Sequence, residues 1–273
     1  MGHFSRLEEC WFRLTRKTSA EKETVNIENS IFFFVLVGFV AQAVDGALGM
    51  AYGVTSNSIL LSLGVTPAAA SASVHFAEVF TTAVSGLSHY GFGNVSKVLF
   101  KRLIIPGVIG GVVGAYLLSS IDGSSIKVFV SVYLIIIGLA ILLRAFKKPV
   151  EREVNSIGFL TPLGLTGGFF DAIGGGGWGP IVTSTLVARG NDPRYTIGSV
   201  NASEFFVTTA ESITFFLALG VMYWKIVLGL LIGGVIAAPM AAFSCKRIPH
   251  RMLMVMVGLL ITGLSIRTII LAL

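Results

Sequence analysis

The sequence predicts an all-α integral membrane protein built from two similar halves. Of its 273 residues, 54% are hydrophobic and only 12% are charged, whereas a soluble domain carries about 25% charged residues. Residues 125–143 contain one charged side chain, and residues 226–243 and 252–266 contain none. Since about 20 apolar residues in a helix cross a hydrocarbon core of roughly 30 Å, we expect a multi-pass protein of the cell membrane.

An internal repeat supports the division into halves. When the chain is shifted by 126 positions, acidic residues, prolines and glycines coincide without a gap. The matched pairs include Asp45 with Asp171, Gly49 with Gly175, Gly53 with Gly179, Pro67 with Pro193, and Glu78 with Glu204. Paired halves interrupted at corresponding glycines and prolines are typical of transporters, and the interruptions mark the binding site.

The repeat sets the predicted domain boundaries. Residues 1–30 form a cytoplasmic or interfacial tail, 31–145 the first membrane repeat, 146–155 a basic linker, and 156–273 the second membrane repeat. Phe4, Leu7, Trp11 and Leu14 fall at helical spacing in the tail, which suits a helix lying on the membrane surface. A mobile tail is the alternative.

Each half has the same predicted order of segments. An apolar segment ends in an acidic residue and a glycine-rich stretch, and an apolar piece of about ten residues follows. Ten helical residues reach about 15 Å, half of the bilayer, so this piece is predicted to be a re-entrant half-helix buried in protein. Three longer helices complete each half, giving about eight spanning helices plus two short re-entrant half-helices.

The distribution of basic residues favours one topology. If each half crosses four times and the N-terminus is inside, 14 of the 20 Lys and Arg residues are cytoplasmic. If the short pieces also cross, the halves are inverted and 12 of the 20 are cytoplasmic. Because cytoplasmic loops carry an excess of Lys and Arg, we expect the version with four crossings per half.

A run of four glycines, residues 174–177, precedes Trp178, Gly179 and Pro180. Each glycine weakens a helix by roughly 1 kcal/mol relative to alanine, and proline suits the first helical position. The run is therefore predicted to be an unwound loop whose backbone N–H groups, at a helix N-terminus, bind an anion. Close helix packing is the alternative interpretation.

Residues 49–53 form the corresponding loop of the first half and are followed by the hydroxyl and amide groups of residues 55–57. The predicted substrate-binding residues are Gly49, Gly53, Thr55, Ser56, Gly174, Gly175, Gly176, Gly177, Trp178, Gly179 and Asn201.

Acidic residues are predicted near the bilayer midplane. Glu78 and Glu204 each lie 11 residues after the proline that starts their helix, about 17 Å along it. His75 is one turn before Glu78, and Glu211 is two turns after Glu204. Ionisable groups at that depth are costly and suggest function.

We therefore predict a coupling role for a proton or cation. The predicted coupling residues are Glu78, Glu204, His75, Asp45 and Asp171. The alternative for the glutamates is a buried, hydrogen-bonded pair that joins the halves, and for the aspartates it is capping of backbone at the helix breaks.

The sequence lacks the motifs that several other classes of function require. The glycine run is not followed by the Gly-Lys-Ser/Thr of a nucleotide loop, and the sequence shows no Ser/His/Asp set or HExxH motif. Its two cysteines, Cys10 and Cys245, give neither a disulfide framework nor a metal-ligand spacing. We predict no enzyme activity, no cofactor and no metal site. The net charge of +6 lies mainly at span ends, so no nucleic-acid partner is expected.

The loops and their flanking residues resemble the sulfite exporter family TauE/SafE. The resemblance rests on residues 45–53, on Pro67 with Glu78, and on residues 174–180 with 201–204, and it extends from about residue 30 to the end. The first loop is poorer in glycine and has Val54 where the second has Pro180. The resemblance implies a transporter for sulfite, organosulfonates or related small anions.

The sequence leaves alternatives open. The chain could carry another small solute or a metal ion, with Glu78, Glu204 and His75 as direct ligands, or it could be a membrane scaffold that transports nothing. The expected partners are a small anionic solute and the lipid bilayer. Transport direction, coupling ion and assembly into a homo-oligomer are not fixed by these residues.

Overall fold

A computed structural model describes residues 31–121, 123–147, 156–220, 223–244 and 250–272. Every regular element in these ranges is a helix, as the composition predicts. The predicted tail (1–30) and most of the predicted linker (148–155) lie outside the described residues.

The first half contains one short helix among four long ones. In chain order the helices are α1 (Ile31–Leu48), α2 (Tyr52–Ser62), α3 (Pro67–Gly91), α4 (Lys97–Ser120) and α5 (Gly123–Arg144). Proline occupies the first turn of α3, where its missing N–H has no helical partner to lose.

The second half has the same order. Its helices are α6 (Ile157–Gly174), α7 (Gly179–Ala188), α8 (Pro193–Leu219), α9 (Trp224–Ser244) and α10 (His250–Ala272). The first five residues of α7, Gly179–Thr183, form a π-helix. Helices of the second half begin 126 or 127 positions after their counterparts, which supports the repeat without establishing its origin.

Length and composition separate the long helices from the short ones. Seven of the described helices are long and apolar enough to cross a membrane. The eighth long helix, α3, has 25 residues but is richer in polar side chains. The short helix α2 has 11 residues, and α7 is one residue shorter. The predicted eight long and two short helices are confirmed, whereas the predicted re-entry of the short ones is inconsistent with the helix directions given below.

The first helix of each half packs on the fourth helix of the other half: α1 packs on α9, and α6 packs on α4. Glycines permit the close approach. A Cβ added at Gly38 of α1 would lie 2.3 Å from the Leu230 carbonyl oxygen, and one at Gly168 of α6 would lie 2.2 Å from that of Gly107. Small residues at such crossings let helix backbones meet within a membrane.

The equivalent helices α3 and α8 run in opposite directions. His75 of α3 contacts Glu211 of α8, and Ser85, further along α3, contacts Asn201, earlier on α8. Residue numbers therefore rise along one helix as they fall along the other.

Helices α1 and α3 run in the same direction, because both are parallel to α9. The contact pairs, in order along α9, are Leu230 with Gly38, Gly234 with Thr81, Ala241 with Gly46, and Phe243 with Phe92. Residues 49–66 must therefore bring the chain back between α1 and α3. The halves are inverted, and the version with four crossings per half that the basic residues favoured is wrong.

Candidate functional site

Asp45, near the end of α1, bonds to the backbone at the start of α2. Its Oδ1 accepts hydrogen bonds from the N–H groups of Ala51, at 2.8 Å, and Tyr52, at 3.3 Å. The carboxyl group is buried. An aspartate at this position satisfies N–H groups that the helix start leaves without partners.

Asp171 makes the same contacts in the second half. Its Oδ1 accepts from the N–H groups of Gly177, at 2.6 Å, and Trp178, at 2.9 Å. Some of the backbone N–H groups that were predicted to bind an anionic solute are therefore already bonded to a carboxylate of the chain itself. A solute would have to bind other groups here or displace Asp171.

The two glycine loops pack against each other in a reciprocal way. A Cβ added at Gly53 would lie 2.6 Å from Gly176 Cα, and one at Gly179 would lie 2.4 Å from Met50 Cα. The Gly53 and Gly179 contacts correspond under the 126-residue shift. Gly49 lies beside them, against the Thr183 and Asn201 side chains.

Close packing accounts for much of the four-glycine run. Gly175 and Gly176 have φ of +63° and +148°, which favour glycine. The Gly174 carbonyl accepts a hydrogen bond from Asn57 Nδ2 at 2.5 Å, and Gly177 lies against the Tyr133 hydroxyl. The packing interpretation is therefore supported, and solute contact by these glycines stays a prediction.

The Trp178 side chain packs among neighbouring helices. Its indole Nε1 donates to the Val200 carbonyl at 3.2 Å, and its ring packs on Gly107 and Gly167. The side chain is fully buried. Trp178 thus anchors the second loop against neighbouring helices.

Three acidic side chains surround His75. Its Nε2 lies 2.7 Å from Glu211 Oε2, 3.7 Å from Asp171 Oδ2 and 4.0 Å from Glu78 Oε2. All four side chains are buried. Since α3, α6 and α8 each contribute, the cluster joins both halves.

Glu78 also approaches the first glycine loop, since a Cβ at Gly53 would lie 3.2 Å from Glu78 Oε1. The counterpart, Glu204, is 5% exposed. The carboxyl groups that act on it electrostatically are Asp45, Glu78, Asp171 and Glu211. So many acidic groups around one imidazole cannot all be ionised inside a membrane, so protons must be distributed among them.

The short helices carry polar atoms without partners. Within the described residues, no hydrogen-bond partner is found for Ser56 Oγ, Asn57 Oδ1 or Thr183 Oγ1. All three side chains are fully buried, and Thr55 is 5% exposed. Buried polar groups without partners are uncommon and suggest a water or an ion, so α2 and α7 offer binding capacity that the fold does not use.

A metal ion fits the histidine cluster poorly. One donor atom each from His75, Asp171 and Glu211 lie within 4.8 Å of one another. The 2.7 Å between His75 and Glu211 is shorter than the roughly 3.3 Å between two ligands of a tetrahedral ion with bonds of about 2.0 Å. The imidazole and the carboxyl group are close enough to share a proton directly.

Two arginines near α7, which could attract an anion, make structural contacts. Arg194 Nε donates to Asn94 Oδ1 at 2.6 Å, and the Arg189 guanidinium lies 4.3 Å from the centre of the Phe159 ring.

Four residues at the site are not among the predicted site residues: Asn57, Thr183, Glu211 and Ser85. Asn57 and Thr183 are equivalent under the repeat, which was the available signal for them. Glu211 matches Ser85, so a search for identical pairs passes over both residues.

Comparisons with known proteins agree with this architecture. The family model for the sulfite exporter TauE/SafE matches residues 34–268. YtnM of Bacillus subtilis, described as a probable membrane transporter protein, is 43% identical over 248 residues, covering 88% of this chain and 83% of that protein. YunE of the same organism, described in the same way, is 24% identical over 136 residues, covering 47% of this chain and 50% of that protein.

No solved structure matches the chain. The family match spans most of the sequence and confirms the resemblance that the loops predicted. The chain belongs to the sulfite exporter TauE/SafE family and is a multi-pass transporter of the cell membrane.

Proposed function

We propose that this transporter exports a small sulfur-containing anion, a sulfite or an organosulfonate. The family description supports the sulfur anion, whereas the relatives' names specify only membrane transport. The solute passes between α2 and α7, where both short helices present polar side chains beside the glycine loops.

The unpartnered polar atoms on α2 and α7 carry this proposal. Ser56 and Thr183 are fully buried, and their hydroxyl groups have no hydrogen-bond partner within the described residues. Asn57 Nδ2 donates one hydrogen to the Gly174 carbonyl and has a second one to donate. Hydroxyl and amide groups can donate to the oxygens of an oxyanion without a compensating positive charge. Asn201, whose side chain lies with Thr183 against Gly49, extends the same polar surface.

The acidic residues couple solute movement to a proton. Glu78 lies at the first loop, and Glu204 lies among other carboxyl groups. An ionised glutamate repels an anion next to it, whereas a protonated one donates a hydrogen bond. Proton gain or loss therefore changes affinity for the solute, which is the differential interaction that a coupled switch requires.

Transport by the purified protein in liposomes tests the proposal. Sulfite, a two-carbon sulfonate, sulfate, a neutral amino acid and a divalent metal ion would be compared for protein-dependent flux. We expect flux of sulfite or the sulfonate that exceeds that of the amino acid. Flux of the amino acid or a metal ion alone would assign a different solute, and flux of none of a broad panel would favour a scaffold.

A further inference from the structure

We propose that His75 and Glu211 form a proton-operated link between α3 and α8, closed when it holds a proton and opened when the proton leaves. This inference rests on the proposed transport function and names the residues that bind the coupled proton. It goes beyond Glu78 and Glu204, because it assigns the proton to a contact between the halves.

The polar contacts of the two His75 nitrogens define its protonation state. Nδ1 lies 2.7 Å from the Ser71 carbonyl oxygen, which can only accept, so Nδ1 carries a hydrogen. Nε2 lies 2.7 Å from Glu211 Oε2, and an ionised carboxylate also only accepts. A bare Nε2 and an ionised carboxylate would place two electron-rich atoms in contact, so the closed link needs one more proton on His75 or Glu211.

The neighbours of the pair determine what happens when this proton leaves. The titratable groups that face it are Glu78 on α3 and Asp171 on α6. Glu204 of α8 interacts electrostatically with Glu211, and Tyr133 of α5 does so with Asp171. From α4 the pair meets Gly111, which packs against the Glu211 side chain and carries no charge. Without the proton, repulsion between Nε2 and the carboxylate separates α3 from α8 at this level.

A second link between the same helices cannot open in this way. Ser85 Oγ of α3 donates to Asn201 Oδ1 of α8 at 2.8 Å. Neither side chain titrates in the physiological range, so this hydrogen bond keeps its proton. Next to it, Gly86 brings the backbones close, since a Cβ there would lie 3.0 Å from Ala202 Cα.

The two links are equivalent under the repeat. A shift of 126 positions takes His75 to Asn201 and Ser85 to Glu211, so the halves place one exchangeable and one permanent link on the same pair of helices. The ten residues between the links span about 15 Å of helix. Opening at His75 therefore tilts α3 against α8 about the Ser85–Asn201 contact.

The proton balance of one cycle follows from this geometry. One proton enters between His75 and Glu211 when the link closes, and the same proton leaves when it opens. No bond other than those to this proton forms or breaks. Solute movement that requires one opening and one closing is then accompanied by one proton from this link.

A double variant, His75→Asn with Glu211→Ser, tests the link because it installs the side chains that the equivalent positions already hold. Purified wild type and variant would be compared in liposomes containing a pH-sensitive dye, with sulfite as the probe solute. The readout is the number of protons moved per sulfite. We expect the double variant to move fewer protons per sulfite than the wild type, whereas a merely structural role would lower both fluxes and leave the ratio intact.

Glu211→Gln is the second variant, since it keeps the shape and removes the exchangeable carboxyl proton. It should also move fewer protons per sulfite than the wild type. If neither variant moves sulfite, infrared titration decides, because wild type should show a carboxyl band that changes with pH and is missing from Glu211→Gln. The link is overturned if the variants move as many protons per sulfite as the wild type, or if Glu211→Gln keeps the titrating carboxyl band. Sulfite flux through the wild type without proton movement overturns it too while leaving the proposed sulfite transport intact, and absence of all solute flux refutes both.

Discussion

At the scale of single residues, Asp171 connects the second glycine loop with the histidine cluster. Its Oδ1 accepts from the loop N–H groups, while its Oδ2 lies 3.7 Å from His75 Nε2. Movement of either partner therefore acts on the other through one carboxyl group. Asp45 makes the same backbone contacts in the first half, where the residue equivalent to His75 is Asn201.

Replacing Asp171 by alanine should destabilise the protein more than the same change at Asp192. Both carboxylates accept from two backbone N–H groups, but Asp171 is buried and Asp192 is exposed. Loss of the exposed cap costs about 1 kcal/mol, and buried N–H groups left without an acceptor cost about 1–3 kcal/mol each. Thermal unfolding in detergent measures both variants, and equal midpoints would contradict the assigned role of Asp171.

Glu78→Gln and Glu204→Gln test the proposed coupling residues. Glutamine keeps the size and hydrogen-bonding capacity of glutamate but does not titrate. We expect at least one variant to lose the pH dependence of net transport, because the exchangeable charge next to the solute is gone. Transport rates in liposomes across a range of pH provide the measurement. If both variants keep the wild-type rate and pH profile, these glutamates are structural.

At the scale of elements, the glycine loops show why the halves fit together. Gly53 and Gly179 each pack on the loop of the other half, so a side chain at either position would separate the two short helices. The binding residues that we propose lie next to this crossing. Packing and solute binding therefore depend on the same few positions.

Gly176→Ala should lower the yield of folded protein, whereas Gly158→Ala should not. An added Cβ at Gly176 would lie 2.1 Å from the Val54 nitrogen, and the φ of +148° at Gly176 disfavours other residues. At Gly158, by contrast, an added Cβ would have no atom of the described residues within 4 Å. The steric clash and the backbone strain at Gly176 add to each other, so the destabilisation should exceed about 3 kcal/mol. Gel filtration and thermal unfolding test the pair. Normal folding of Gly176→Ala would show that the loops are less tightly packed than described.

The helices could be predicted because the residues that begin and end them can be recognised in the local sequence. Pro67 and Pro193 begin helices, and the glycine stretches end α1 and α6. Helix direction could not be predicted, since the competing topologies differed by only two of 20 basic residues. The contact between His75 and Glu211 depends on the antiparallel crossing of α3 and α8, which no local pattern specifies.

At the scale of the whole molecule, inversion places equivalent segments on opposite sides of the membrane. Helices α3 and α8 are antiparallel, as their paired contacts show, so the chain enters them from opposite faces. The two halves thereby present similar surfaces to the two sides. Such inverted pairs support alternating access by movement of one half against the other.

Cysteine labelling should place Thr66 and Ala188 on opposite faces. Thr66 precedes α3, and Ala188 ends α7 just before α8; both positions are exposed. Thr66→Cys and Ala188→Cys would be made after Cys10 and Cys245 are replaced by serine. An impermeant maleimide applied to intact cells should label one variant and miss the other. Labelling of both from one side would contradict the inverted arrangement.

Counterflow of sulfite through liposomes, with Thr183→Val compared to Thr166→Val, tests most directly whether a small anion passes between α2 and α7. Valine matches threonine in shape and removes only the hydroxyl group. Thr183 is fully buried, and its hydroxyl has no partner among the described residues, whereas Thr166 is exposed and donates to the Pro162 carbonyl at 2.8 Å. Since one hydrogen bond to a charged group contributes about 1.5–3 kcal/mol, we predict at least a roughly tenfold weaker apparent affinity for sulfite in Thr183→Val and wild-type counterflow in Thr166→Val. Equal affinity in the two variants would contradict a solute path at Thr183.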